Sequence, residues 1–270
     1  MCTFYWSQCG KINVYAKRRG TQEWTDKMAD LFCVKLGETM RGTFAEHVKQ
    51  YAYGEALLVL PNRFLLQSEQ QKGTVRAVNM DYLPNEILRA NRRDRFEMLS
   101  RRSQEIIVKK LIDDKKKAGQ LKYLLNIADA DSFAKIVTGF IGELSRAGTT
   151  AEEFAEAVSA WERKNGYGLK DEEIASIYTD YRKVLKKNNW YDIDGLYRLA
   201  TIELQKAGSI IPWQALFFSD FYQFDHLQLD LIAAIKDRCT VSIGIVGDMK
   251  NDELYGATLN TISDLLGRGF

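Results

Sequence analysis

Four short apolar runs constrain this chain more than any other feature: LFCVKL at Leu31–Leu36, ALLVL at Ala56–Leu60, ALFFS at Ala215–Ser219 and TVSIGIV at Thr240–Val246. Apolar runs of this length, without regular alternation across the set, suit parallel strands covered on both faces. Helical periodicity lies between them, at Thr43–Tyr51 and Leu227–Ile235, and fills a long middle. Strand–helix–strand order at both ends predicts one α/β domain with a parallel sheet, interrupted by a helical insertion. Residues 31–80 and 209–270 are the expected halves of the sheet domain, and residues 81–208 the insertion. Within the insertion, helices are expected near Asp94–Lys117, Ser132–Ala147, Thr150–Asn165, Asp171–Lys187 and Ile193–Ala207. Thr150-x-x-Glu153 is a capping-box pattern that marks the third of these starts. Residues 1–30 fit neither part and are expected to form an extension.

Composition closes off several classes. The chain has 270 residues, enough for one large or two small domains. No stretch approaches 18 continuous apolar residues, so no transmembrane helix is expected, and residues 1–19 lack the apolar core of a secretory signal. The four Cys (Cys2, Cys9, Cys33, Cys239) are scattered, without CxxC spacing or an accompanying His pair. Reduced thiols are expected rather than a zinc site or a disulfide framework.

A net charge of +2 conceals a local asymmetry. Arg76–Lys122 holds 13 basic and 7 acidic residues, whereas Tyr123–Asp180 holds 5 basic and 11 acidic. Apolar Phe96, Leu99, Ile106, Ile107 and Leu111 recur through the basic part at helical spacing. An amphipathic helix with a basic outer face accounts for the pattern. Such a face serves either as a solvated surface or as a contact for a nucleic-acid backbone.

Three segments could carry chemistry. Gly37-Glu38-Thr39-Met40-Arg41-Gly42-Thr43 follows the first apolar run and leads into a helix. Its glycines have the spacing of the phosphate loop G-x-x-x-x-G-K-[ST], but Thr43 follows Gly42 directly and the Lys is missing. A plain strand-to-helix turn explains the glycines equally well. Asp220 ends the third run, where nucleotide-dependent enzymes place a Mg²⁺ ligand, yet Phe221 stands where an acid that orients water would be needed. Gly247-Asp248 ends the fourth run and is also accounted for by an ordinary turn. His226 and His47 are the only His residues, and neither sits in a pattern typical of a general base.

Read in order, these segments resemble the first domain of UvrD-type superfamily 1 helicases, and more closely the AddB/RexB subunits of bacterial AddAB-type helicase–nucleases. Gly37–Thr43 sits at the phosphate-loop position. Glu55-Ala-Leu-Leu-Val-Leu-Pro-Asn-Arg63, followed by Leu66, Gln67 and Glu69, resembles a strand-Pro segment that contacts single-stranded DNA in the family. Asp171–Leu199, with Tyr178, Tyr181, Trp190, Tyr191, Asp192, Asp194 and Leu196, resembles the stretch that closes the helical insertion. Ser219–Phe224 is similar to the Asp-Gly-Phe-x-x-Phe form of AddB proteins, and Gln228 matches a later Gln of that motif. Glu253–Asn260 with Leu265-Leu266 resembles the segment after the fourth strand.

The resemblance covers about residues 31–270. It implies a P-loop NTPase-like (RecA-like) α/β domain with a large 1B-like helical insertion, in an N-terminal portion of a longer subunit. The absent Lys and the presence of Phe221 imply a degenerate nucleotide site at Gly37, Gly42, Thr43 and Asp220, without catalytic residues, resident metal or cofactor. DNA contacts are expected at Arg63, Phe64, Arg92, Arg93 and Arg101, and Tyr222 and Phe224 are further candidates for stacking bases. The implied role is a DNA-binding, non-hydrolysing helicase-like module in double-strand-break repair and recombination. It would be cytoplasmic, with an AddA-like subunit and single- and double-stranded DNA as partners and no membrane association. A helical protein-interaction scaffold is the alternative. A working ATPase, with Arg41 or Lys35 replacing the missing Lys, is the third reading. Clustered Cys and nuclease acids, which the family carries in a C-terminal domain, are not found in these 270 residues.

Overall fold

The computed structural model describes residues 29–93, 95–165, 168–248 and 251–270. In chain order its elements begin with β1 (Ala29–Val34), α1 (Arg41–Val48), β2 (Ala56–Leu60), α2 (Arg63–Lys72), β3 (Ala77–Asn79) and α3 (Tyr82–Ala90). There follow β4 (Glu97–Met98), α4 (Arg101–Lys117), α5 (Asp131–Arg146), α6 (Ala151–Asn165), α7 (Leu169–Asn188) and β5 (Trp190–Tyr191). The chain ends with α8 (Ile193–Leu204), β6 (Ala215–Phe221), α9 (His226–Lys236), β7 (Thr240–Val246) and α10 (Asp252–Gly267). Among the described residues no helix is long and apolar enough to cross a membrane. Of the expected N-terminal extension, only Ala29 and Asp30 are described, and they belong to β1.

The described residues divide into two compact units, 29–93 with 199–270, and 95–198. The first unit is built on a five-stranded sheet of order β1-β7-β6-β2-β3, parallel at every pairing. Residues of β2 and β6 are buried almost without exception, as the unbroken apolar runs require. Alternate side chains serve opposite faces. Leu58, Leu60 and Phe217 pack with Phe44, Ala45 and Val48 of α1. Phe218, which follows Phe217, instead joins Phe221 and Phe224.

Several elements depart from the sequence reading. β1 ends at Val34, where its pairing with β7 ends at Val246, and Leu36 is exposed beyond it. β3, only three residues long, lies at a sheet edge. Neither α2 nor α3 was expected. Pro61 precedes α2, and Asn62 caps it by accepting from the Leu65 amide at 3.0 Å. Pro84 lies in the first turn of α3, where a missing amide hydrogen costs no helical bond.

The second unit is helical. Its core gathers Val108 and Ile112 of α4, Phe133, Val137 and Ile141 of α5, and Ile177, Tyr178 and Tyr181 of α7. α4 begins at Arg101 rather than near residue 94, because Glu97–Met98 pairs with Trp190–Tyr191 as a two-residue parallel ladder. Ser100 then caps α4 through the Ser103 amide. The Thr150–Glu153 capping box forms as its spacing suggested: the Glu153 amide donates to Thr150 Oγ1 at 3.1 Å, and the Thr150 amide to Glu153 Oε2 at 2.8 Å. A further tie was not legible. The buried Glu173 carboxylate of α7 accepts three backbone N–H groups, from Lys122 (2.6 Å), Tyr123 (2.9 Å) and Leu124 (2.9 Å).

Candidate nucleotide-loop site

The first unit gathers the loop between β1 and α1, the C-terminal half of α2 and the end of β6 around Arg41. Gly37 takes φ +90° at the turn out of β1, a conformation that glycine adopts without steric cost. Met40 closes the loop by packing on β7. A Cβ at Gly244 would lie 2.9 Å from the Met40 Cβ, so glycine is what admits the loop this close to the sheet. Gly42 and Thr43 then follow Arg41 in the first turn of α1, both exposed.

Arg41 bridges two acids. Its Nε lies 3.5 Å from Glu69 Oε1 and 3.6 Å from Asp220 Oδ2. Glu69 is 2% exposed and also accepts from Lys72 Nζ at 2.7 Å. A buried carboxylate is costly unless paired, and Arg41 and Lys72 supply that pairing. Glu69 lies three and four residues beyond Leu66 and Leu65, on the inward stripe of α2. That spacing was the available signal for its burial. Asp220 also accepts from the Ser219 hydroxyl at 3.1 Å.

A β-bulge sets how β6 ends. Phe218 is opposite Ile243 and Phe221 is opposite Ile245, so β6 spends one more residue than β7 over this interval. Asp220 takes φ +63° within it. The extra residue reverses the side-chain parity, so Phe218 and Phe221 share a face although three positions apart. Phe221 is 3% exposed and stacks on Phe224, with ring centroids 4.5 Å apart. The position beside Asp220 thus serves the core. Phe224 is buried in the same cluster, which removes it as a platform for bases.

The other sequence candidates are spread out. Arg63 is exposed at the first position of α2, and Phe64 beside it is 79% exposed. Tyr222 is also exposed. Arg92 takes φ +56° after α3, and Arg93 pairs with Glu203 at 3.4 Å. In the second unit, Arg101 lies 3.9 Å from Glu105 and donates to the Thr138 carbonyl at 3.3 Å.

Much of the basic stretch is paired internally. Lys109 contacts Asp113 at 2.9 Å, Lys115 contacts Asp180 at 2.6 Å, and Lys116 contacts Asp129 at 2.5 Å. Arg92, Arg95, Lys110 and Lys117 have no acidic partner among the described residues. Cys33 donates weakly to the Gly247 carbonyl at 3.4 Å, and burial, with Asp248 nearby, pushes its thiol pKa up, away from a reactive thiolate.

The family profile described as ADDB, N-terminal matches residues 44–266. No curated protein matches the chain.

Proposed function

The chain belongs to the AddB N-terminal family, and on that premise we propose that it forms a DNA-binding, non-hydrolysing helicase-like module of an AddAB-type complex. Membership implies a part in DNA repair and an AddA-like partner subunit. In this reading the sheet unit is RecA-like, the helical unit is a 1B-like insertion, and the setting is the cytoplasm. The strand order, with β7 alone between β1 and β6, is compatible with that fold.

One observation carries the non-hydrolysing part: Arg41 stands between Glu69 and Asp220. A phosphate loop needs its cation directed at the β/γ-phosphates and its strand-end acid directed at Mg²⁺. Here the loop cation and that acid face each other, and the adjacent position is a core aromatic. These residues therefore fit a Mg-nucleotide poorly, and no catalytic step is assigned to one. Exposed Arg63 and Phe64 support DNA contact, a cation for phosphate beside a ring for stacking.

Phosphate release from Mg-ATP by the full chain tests this, with and without single-stranded DNA. Release no higher than in buffer is expected. Steady release that Asp220→Ala abolishes would establish the ATPase reading instead. Internal pairing of the basic stretch favours a second reading, a helical scaffold for the partner subunit. Co-purification with an AddA-like subunit, without any DNA binding, would select it.

A further inference from the structure

The helical unit contains a cleft of about 410 Å³ that includes none of the residues assigned to DNA above. Clefts that take small ligands span about 300–1,000 Å³. Tyr178, Arg182 and Lys186 line it from α7, recurring every four residues on one helix face. Trp190 and Tyr191 of β5 and Arg198 of α8 also line it. Among the described residues, Glu152 is the one carboxylate on the wall.

The charges are arranged for an anion. Arg182 Nη1 lies 3.4 Å from both carboxylate oxygens of Asp192, and Arg198 Nη2 donates to the Ser145 carbonyl at 3.1 Å. A guanidinium has five N–H donors, so each retains donors beyond these bonds. Arg182 and Arg198 share this wall with Tyr178, whose hydroxyl donates to the Thr149 carbonyl at 3.2 Å; burial raises the Tyr178 pKa and the two cations oppose the rise. Lys186 is exposed and has no acidic partner among the described residues. The Trp190 indole is fixed by its Nε1–H, which donates to Glu97 Oε2 at 2.9 Å. A held aromatic ring beside three cations suits a planar group that carries a phosphate.

We infer that this cleft binds one phosphorylated nucleoside unit, its phosphate met by Lys186 and Arg198 and its base by Trp190. The unit can come from a single strand, in which case the inference rests on the DNA-binding reading, or from a free nucleotide.

The test uses the full chain with a fluorescent oligothymidylate and, separately, with dTMP read by tryptophan quenching. Lys186→Glu is compared with Lys187→Glu, an identical charge change about 100° around the same helix. A several-fold loss of strand affinity for Lys186→Glu alone is expected, with the log–log salt slope reduced by about 1. Equal losses in both variants, or none in either, with native strand binding intact, would overturn the cleft and leave the DNA-binding reading standing. If the native chain binds no strand, the DNA-binding reading falls. The cleft then stands on dTMP quenching that Lys186→Glu abolishes, and it falls if dTMP leaves the fluorescence unchanged.

Discussion

Arg41 Nε lies 3.6 Å from Asp220 Oδ2, which joins the first turn of α1 to the end of β6 by an ion pair. The same nitrogen reaches the buried Glu69 of α2. Three segments distant in the chain are thus tied by the protein's own side chains.

Asp220 bears backbone strain as well as charge. An L-residue in the left-handed region costs about 1–2 kcal/mol, a cost that glycine avoids. Asp220→Gly and Asp220→Ala both delete the carboxylate, and only the alanine keeps a Cβ at φ +63°. The glycine variant is expected to be about 1 kcal/mol more stable than the alanine variant in urea unfolding.

Phe221 is expected to matter for folding and not for hydrolysis. Phe221→Ala opens a cavity between Phe218 and Phe224 and should cost about 3–5 kcal/mol. Phe221→Glu puts a carboxylate in the same apolar cluster and should lower the thermal midpoint further, with no phosphate release gained.

The strands were legible because burial on both faces leaves a continuous apolar signature, as in ALLVL and ALFFS. β3 was not, since three edge residues make no pattern. α2 and α3 were hidden by Pro61 and Pro84, since proline usually breaks a helix and is tolerated just before or within a first turn, where these two stand. Gly37, Arg41 and Asp220 could be named separately. Their meeting around Glu69 could not, because it depends on where the sheet places segments distant in the chain. The bulge that turns Phe221 inward is equally invisible, since bulge geometry follows from strand pairing.

Glu173 shows how a carboxylate can be structural. Glu173→Gln replaces one acceptor oxygen with a donor NH₂ facing backbone N–H groups. A loss of about 1.5–3 kcal/mol is expected in denaturant unfolding.

Acid should weaken the helical unit through Asp180. Partial burial raises its pKa, but hydrogen bonds from Lys115 and Lys183 outweigh that and hold it below the usual carboxylate value. A carboxylate depressed in the folded state stabilises above its unfolded pKa of about 3.9 and loses that contribution as pH falls through the folded value. Asp180→Asn is therefore expected to flatten the acid limb of a stability–pH curve, measured by circular dichroism.

Whether the chain is a non-hydrolysing DNA-binding module is decided by its binding of single-stranded DNA, measured by fluorescence anisotropy across a salt series with Mg-ATP present. Binding at low salt is expected, with a linear fall of log affinity with log salt and the same curve when Mg-ATP is omitted. No binding at low salt, or an affinity indifferent to salt, would contradict that reading.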